Sequence, residues 1–205
     1  MSAEPTIFVA DDDAAVGRAL QSAGKLLGHP VRAFASAAEF LAAYDREQPG
    51  CLVLDIRMPD MTGLELQRKL ADDGVDIPVV MISGHADVRI AVEAMALGAV
   101  TVLEKPFRLD ELLAHVRRAL EKDRATRAAR RTADDADARL AALTAKERQV
   151  LDLIAAGKTN REMAGALGLS VRAVEDRRAR LMRKVNAGSV ADLVRLFAGR
   201  PVPGP

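Results

Sequence analysis

The chain has 205 residues, 49% apolar and 29% charged, a balance that suits one or two folded domains. A single cysteine excludes a disulfide framework and any site built on several thiolates, and points to a reducing compartment. The net charge of +1 conceals a polarity: residues 1–124 hold 14 Lys/Arg against 20 Asp/Glu, net −6, and residues 125–205 hold 16 against 9, net +7, which predicts two domains with different partners.

Met1–Thr6 is acidic and leads at once into a strand-like run, so no signal peptide is expected. No run of 18 or more apolar residues occurs, so no membrane span is expected. Five short apolar runs follow: Ile7–Ala10, Val31–Phe34, Cys51–Leu54, Val79–Ile82 and Val100–Leu103. Continuously apolar and not alternating, they predict strands buried on both faces. Helix-length segments separate them, with helical spacing at Val16, Leu20 and Leu27, at Phe40, Leu41 and Tyr44, at Leu64, Leu66 and Leu70, at Ile90, Ala94 and Leu97, and at Leu109, Leu112, Leu113, Val116 and Leu120. Strand then helix, five times over, predicts an α/β doubly wound five-stranded parallel sheet. Cys51, Val102, Leu109 and Leu113 are core candidates, and Met58 is a packing residue. His29, His85 and His115 lack metal-ligand spacing, so no zinc site is expected.

In such sheets ligands bind beyond the carboxyl ends of the strands. Strand one ends in Asp11, Asp12 and Asp13, strand three in Asp55, strand four in Ser83, and strand five in Glu104, Lys105 and Pro106. Taken singly, Asp11 or Asp13 is more often a helix cap, and Ser83 before Gly84 a turn residue. Together they bring carboxylates, a hydroxyl and an ammonium to one edge. Clustered carboxylates call for a hard cation such as Mg²⁺, and Lys105 supplies a point charge for a phosphoryl oxygen. A carboxylate can accept a phosphoryl group as an acyl phosphate. No GxxxxGK[ST] loop is present, so a bound nucleotide is not indicated.

The runs Ala10-Asp11-Asp12-Asp13, Leu54-Asp55-Ile56-Arg57-Met58-Pro59-Asp60-Met61-Thr62-Gly63, Ile82-Ser83-Gly84-His85 and Glu104-Lys105-Pro106-Phe107 resemble the signature of receiver domains, which have a flavodoxin-like fold, over residues 5–122. The resemblance implies that Asp55 is the phosphoacceptor for a partner histidine kinase. It implies that Asp11, Asp12, Asp55 and the Arg57 carbonyl hold Mg²⁺, and that Ser83 and Lys105 bind the phosphoryl oxygens. It implies a cis Lys105–Pro106 bond and a dimer surface on the fourth helix, fifth strand and fifth helix. Val102 stands where the family usually has Phe or Tyr.

Glu121–Ala142 is rich in Ala, Arg and Asp and poor in large apolar residues. We read 123–142 as a largely helical linker, with Asp134 and Asp135 marking a place for a helix to restart. From Thr144 the pattern is helical only. Thr144-Ala145-Lys146-Glu147 is a capping box, and Gly157 is placed to end that helix. Asn160 is placed to cap a second helix that ends at Gly168, Ser170 to cap a third reaching about Val185, and Ser189 to start a fourth packed through Leu193, Val194 and Phe197. The second and third form a helix-turn-helix. On the third, Val171, Val174, Leu181, Met182 and Val185 share one side and are expected in the core. Arg172, Asp176, Ala179, Arg180 and Arg183 share the other, with Arg177 and Lys184 on one flank and Glu175 on the opposite flank. Arg178 lies near the apolar stripe and must snorkel or pair. This basic face suits a major groove, although Asp176 lies four residues from both Arg172 and Arg180 and a salt-bridged surface helix would look similar.

Leu143–Arg148, Gly157–Glu162 and Ser170–Glu175 resemble the LuxR-type four-helix DNA-binding domain, with Arg177 where the family usually has His. The whole chain is thus similar to response regulators of the FixJ/NarL type: a receiver over 1–122, a linker over 123–142, a DNA-binding domain over 143–198 and a disordered tail over 199–205. The resemblance implies a cytoplasmic transcription regulator, without enzymatic activity beyond its own aspartyl phosphorylation and dephosphorylation. It implies DNA contacts from Lys158, Asn160, Arg161, Arg172, Glu175, Asp176, Arg177, Arg180, Arg183 and Lys184 to a double-stranded operator. It further implies a homodimer, when phosphorylated or on DNA, through Val190, Leu193 and Val194, with RNA polymerase a further candidate partner. Two alternatives stay open: a DNA-binding protein indifferent to phosphorylation, and a phosphorelay shuttle that binds no DNA.

Overall fold

The computed structural model of the chain describes residues 4–84 and 88–197, so His85 and the tail 199–205 lie outside the described residues. In chain order it contains β1 (Thr6–Ala10), α1 (Ala14–Leu27), β2 (Val31–Phe34), α2 (Ala37–Ala43), β3 (Gly50–Asp55), α3 (Gly63–Asp72), β4 (Val79–Ser83), α4 (Val88–Ala96), β5 (Thr101–Glu104), α5 (Leu109–Ala141), α6 (Ala145–Ala155), α7 (Asn160–Leu167), α8 (Val171–Lys184) and α9 (Val190–Phe197). Two compact units result, residues 1–128 and 129–205.

The first unit is a five-stranded sheet in the order β2-β1-β3-β4-β5, with every pair parallel. Successive side chains on a strand point to opposite faces, so each apolar run feeds two cores. Phe8, Leu52, Leu54 and Met81 pack with Phe40 of α2, Leu66 and Leu70 of α3 and Ala94 of α4. Ile7, Val9, Cys51, Val53, Val80 and Ile82 pack on the other face with Leu20 of α1 and Leu112, Val116 and Ala119 of α5. Burial on both faces holds for β1, β3 and β4 but not for β2 and β5, whose residues are mostly half-exposed or exposed. Both lie at sheet edges, where one side lacks a neighbouring strand. Leu109, expected in the core, is 42% exposed, because it opens α5 beyond the rim of the sheet.

α5 runs unbroken through Asp134 and Asp135, so no helix restarts there. Its alanines and arginines favour helix and no Gly or Pro interrupts it. The first unit also reaches past residue 122, because Asp123 and Arg127 are tied into it.

The second unit packs α6 to α9 around Val150, Leu151, Ile154, Met163, Val174, Leu181, Val185 and Leu193. Thr144 and Glu147 form the expected capping box. The cap of α7 is Thr159, not Asn160: Thr159 and Glu162 form a second complete box, in which both groups satisfy backbone donors, and a lone Asn160 side chain cannot match that. Ser170 caps α8, and Gly168 ends α7 in a left-handed conformation with φ of 62°.

Candidate functional site

The carboxyl ends of the strands bring the acidic site together. Ala10 of β1 pairs with Leu54 of β3, so Asp11 and Asp55 follow side by side. Asp55 pairs in register with Ile82, and Ser83 with Glu104, which sets Ser83 and Lys105 at the same edge. The Lys105 amide donates to the Ser83 carbonyl at 2.7 Å, and Lys105–Pro106 is cis, as expected.

Asp11 and Asp55 are each only 4% exposed, and Lys105 Nζ donates to both, at 2.8 Å to Asp11 Oδ2 and 2.8 Å to Asp55 Oδ1. The second oxygens are also held: Asp11 Oδ1 accepts from the Asp13 amide at 2.8 Å, and Asp55 Oδ2 from the Arg57 amide at 2.6 Å. Asp12 is exposed, and one carboxylate oxygen each from Asp11, Asp12 and Asp55 lie within 4.8 Å of one another. Three carboxylates against one ammonium leave the cluster short of positive charge. Burial raises the Asp11 pKa above the usual carboxylate value and outweighs the opposing hydrogen bond from Lys105. Burial works against the Lys105 ammonium, yet its hydrogen bonds to Asp11 and Asp55 prevail and raise its pKa. Asp13 is the helix cap of the acidic run, accepting from the Ala15 amide at 2.8 Å. Cys51 is fully buried and burial pushes its thiol up, which fits packing and not reactivity.

Gly63 also belongs to the site. A Cβ there would stand 2.2 Å from the Asp55 carbonyl oxygen, so only glycine lets α3 begin so close to the end of β3. Sequence reasoning quoted Gly63 only as part of a motif; the close approach comes from the packing of two elements.

In the second unit, α8 presents Arg172, Asp176, Arg180 and Arg183 to solvent. Among the described residues, the side chains of Arg172, Arg177, Arg180 and Arg183 take part in no ion pair or hydrogen bond, and Asp176 pairs with neither Arg172 nor Arg180. Other expected contacts have partners within the domain. Lys184 pairs with Glu147 at 2.7 Å, Lys158 with Glu162 at 3.3 Å, and Asn160 bridges Arg178 at 2.8 Å and Glu175 at 3.4 Å. Arg178 thus pairs, as its place near the apolar stripe required. The Lys184 hydrogen bond, with help from the Thr144 amide, lowers the Glu147 pKa to about 2. A cleft of about 230 Å³ at the start of α6 is lined by Thr144, Lys146, Glu147, Arg177 and Arg180, which adds Lys146 to the basic surface.

Two expectations are corrected. Val171 is 41% exposed and not core, because it opens α8 at the mouth of the turn. Leu193 is 1% exposed and packs inside its own domain, so it is closed to a partner chain, whereas Val190 and Val194 are 37% and 47% exposed. The Phe197 side chain lies outside the described residues.

A receiver fold with an acidic strand-end cluster, followed by a helix-turn-helix unit with a bare arginine face, defines the class of two-domain response regulators. Residues 7–117 match the family described as Response regulator receiver domain, and residues 141–197 that described as Bacterial regulatory proteins, luxR family. The chain is 42% identical to the Transcriptional regulatory protein FixJ of Rhizobium meliloti over 191 residues, covering 93% of this chain and 94% of that one. It is 40% identical over 190 residues to the Response regulator protein TodT of Pseudomonas putida, covering 93% and 84%. Among solved structures, the response regulator StyR matches with a TM-score of 0.84 and 40% identity, covering 95% of this chain and 98% of that one. The chain belongs to the two-component response regulators of the FixJ type, and it is a DNA-binding transcription regulator. No described helix is long and apolar enough to cross a membrane.

Proposed function

We propose that Asp55 accepts a phosphoryl group from the phosphohistidine of a cognate kinase and that this controls DNA binding by α8. The observation that carries the reading is the Lys105 ammonium held at 2.8 Å from both Asp11 and Asp55. As the new P–O bond to the Asp55 carboxylate forms, the donor's P–N bond breaks and its electron pair stays on the ring nitrogen, so the donor leaves as neutral imidazole with the proton of its other ring nitrogen in place. Lys105 then neutralises a phosphoryl oxygen, and Ser83 donates to another. The donor set of Asp11, Asp12 and Asp55, all hard oxygens, suits Mg²⁺, with the Arg57 carbonyl as a further ligand; the ion, when bound, offsets charge on the phosphoryl oxygens. The chemistry of the chain is confined to forming and hydrolysing this acyl phosphate.

The exposed arginines Arg172, Arg180 and Arg183 are the primary DNA contacts, with Arg161 and Arg177 beside them. Lys158, Asn160, Glu175, Asp176 and Lys184 orient or flank them. A pair of chains would read a two-half-site operator in the cytoplasm, joined through Val190 and Val194 on DNA. The exposed α4 residues Val88, Val92 and Met95 support a receiver dimer on that face, and RNA polymerase is the downstream partner. The test is acetyl phosphate labelling of the full chain with Mg²⁺ or with EDTA, followed by duplex binding. Labelling that needs Mg²⁺ and Asp55 and strengthens duplex binding is expected; labelling that persists in Asp55→Asn overturns the site.

A further inference from the structure

Residues 118–140 lie between the two family matches, and neither assigns them a role. They contain an ion pair between a buried carboxylate and a half-buried guanidinium. Asp123 of α5 is 3% exposed, and its Oδ2 accepts from the Gly50 amide, the first residue of β3, at 3.0 Å. Its Oδ1 accepts from Arg127 Nε at 2.8 Å. The Arg127 guanidinium then caps three successive carbonyls of the loop before β3: Arg46 at 3.0 Å and Gln48 at 2.9 Å through Nη2, and Glu47 at 3.1 Å through Nη1. A surface i,i+4 pair would leave these donors to water. Here carboxylate and guanidinium are both over-determined by backbone groups, which fixes the helix against the loop.

The placement gives the pair a consequence. β3 ends in Asp55, about 17 Å from Gly50 at the usual rise per residue. α5 starts just after Lys105 and Pro106 and reaches Asp123 about 21 Å further on. The helix therefore follows closely on Lys105 at its start, is tied near its middle to the strand that carries Asp55, and continues unbroken to Ala141. While the clamp holds, this stretch of α5 and the start of β3 move as one body, so a displacement at the phosphoacceptor end is carried to the segment beyond residue 127 and is not dissipated against the loop.

We propose that Asp123 and Arg127 form a clamp through which the phosphorylation state of the receiver is passed along α5 to the DNA-binding unit. The proposal rests on Asp55 as phosphoacceptor. The test uses the full chain and a duplex selected from random sequence by the phosphorylated wild-type protein. Affinity is measured with and without acetyl phosphate in wild type, R127A and R127K, alongside labelling of Asp55 and hydrogen exchange of residues 124–141. The expected result is normal labelling in both variants, faster exchange in that segment, and an affinity ratio that collapses towards one. R127K keeps a cation opposite Asp123 but cannot cap the three carbonyls, so it should fold even if R127A fails to, and still lose most of the response. A wild-type response retained in R127K or in a folded R127A overturns the clamp alone. Loss of labelling together with the response makes the pair a structural brace and also overturns it. A wild-type chain that is labelled on Asp55 without any change in affinity overturns the control of DNA binding by phosphorylation and the clamp with it, and one that takes no label on Asp55 overturns the phosphoacceptor reading.

Discussion

The receiver and the DNA-binding unit hold their functional charges in opposite ways. Asp11 and Asp55 sit at 4% exposure, with each oxygen held by a named donor. Arg172 and Arg180 stand in solvent with no partner among the described residues. Burial makes a charge expensive to leave unpaired, so it is kept only where the pairing geometry is fixed, as phosphoryl transfer requires. A phosphate backbone instead rewards cations that are free and hydrated, because binding releases counterions. The same contrast predicts how each half fails: the buried site by all-or-none loss, the exposed face by graded steps.

The largest effect is expected at Asp55. Asp55→Asn should abolish label incorporation from acetyl phosphate while preserving the fold, because the amide oxygen can still accept from the Arg57 amide. A gel-shift assay for the phosphorylated chain measures this directly. Arg180→Ala and Arg172→Ala should each weaken duplex binding by about tenfold and lower the salt slope by about one, with labelling of Asp55 unchanged. A salt titration that gave wild-type slopes would show that these arginines do not touch phosphate, and the contrast between the two surfaces would fail on that side.

These two effects rest on features plain in the sequence, and other features were not plain. The acid cluster was legible because a parallel sheet sends the residues after each strand to one edge, so order along the chain dictates Asp11, Asp55, Ser83 and Lys105. The exposed arginines were legible from helical periodicity. Asp123 and Arg127 were not: their i,i+4 spacing looks like any surface pair, and the carbonyls that hold Arg127 come from a loop some 80 residues earlier in the chain. The pattern of the last helix placed Leu193 among its packing residues, which holds, while the resemblance placed it at the dimer interface, which its burial in its own domain excludes. Asn160 lost the cap to Thr159 because a box with a glutamate satisfies more donors than one amide does.

The comparison extends to packing. Gly63→Ala places a Cβ against the Asp55 carbonyl and should destabilise the receiver by about 2–3 kcal/mol, through overpacking and backbone displacement, as read by urea unfolding. Slower labelling of Asp55 should accompany it, since the displaced carbonyl belongs to the phosphoacceptor. In the second unit, Glu147→Gln removes the Lys184 pair. The Glu147 carboxyl is depressed to about 2 in the folded chain, so its contribution is present above the ordinary carboxylate value and is lost as pH falls through about 2. The variant should therefore cost on the order of 1 kcal/mol near neutral pH, after allowance for solvent screening, and the difference from wild type should shrink between about pH 4.5 and pH 2. A difference that stayed constant over this window would mean that packing, not charge, accounts for the cost.

The smallest effect is a gain. Gly165 lies inside α7, and a Cβ there meets nothing within 4 Å. Glycine in a helix interior loses more backbone entropy on folding than alanine does, so Gly165→Ala should stabilise the second unit by about 0.5–1 kcal/mol. The transition of that unit should rise by a few degrees in calorimetry, with that of the receiver unmoved. Gly63 and Gly165 then form a matched pair, one glycine kept where a Cβ would stand 2.2 Å from a carbonyl oxygen and one with open space around it. Duplex affinity supplies the remaining discrimination. If Gly165→Ala stabilises the chain and leaves affinity intact, the glycine is neutral to function. If it stabilises the chain and weakens binding, the α7 backbone approaches the DNA at that point, and the exposed surface would contain a close contact of the kind otherwise confined to the receiver.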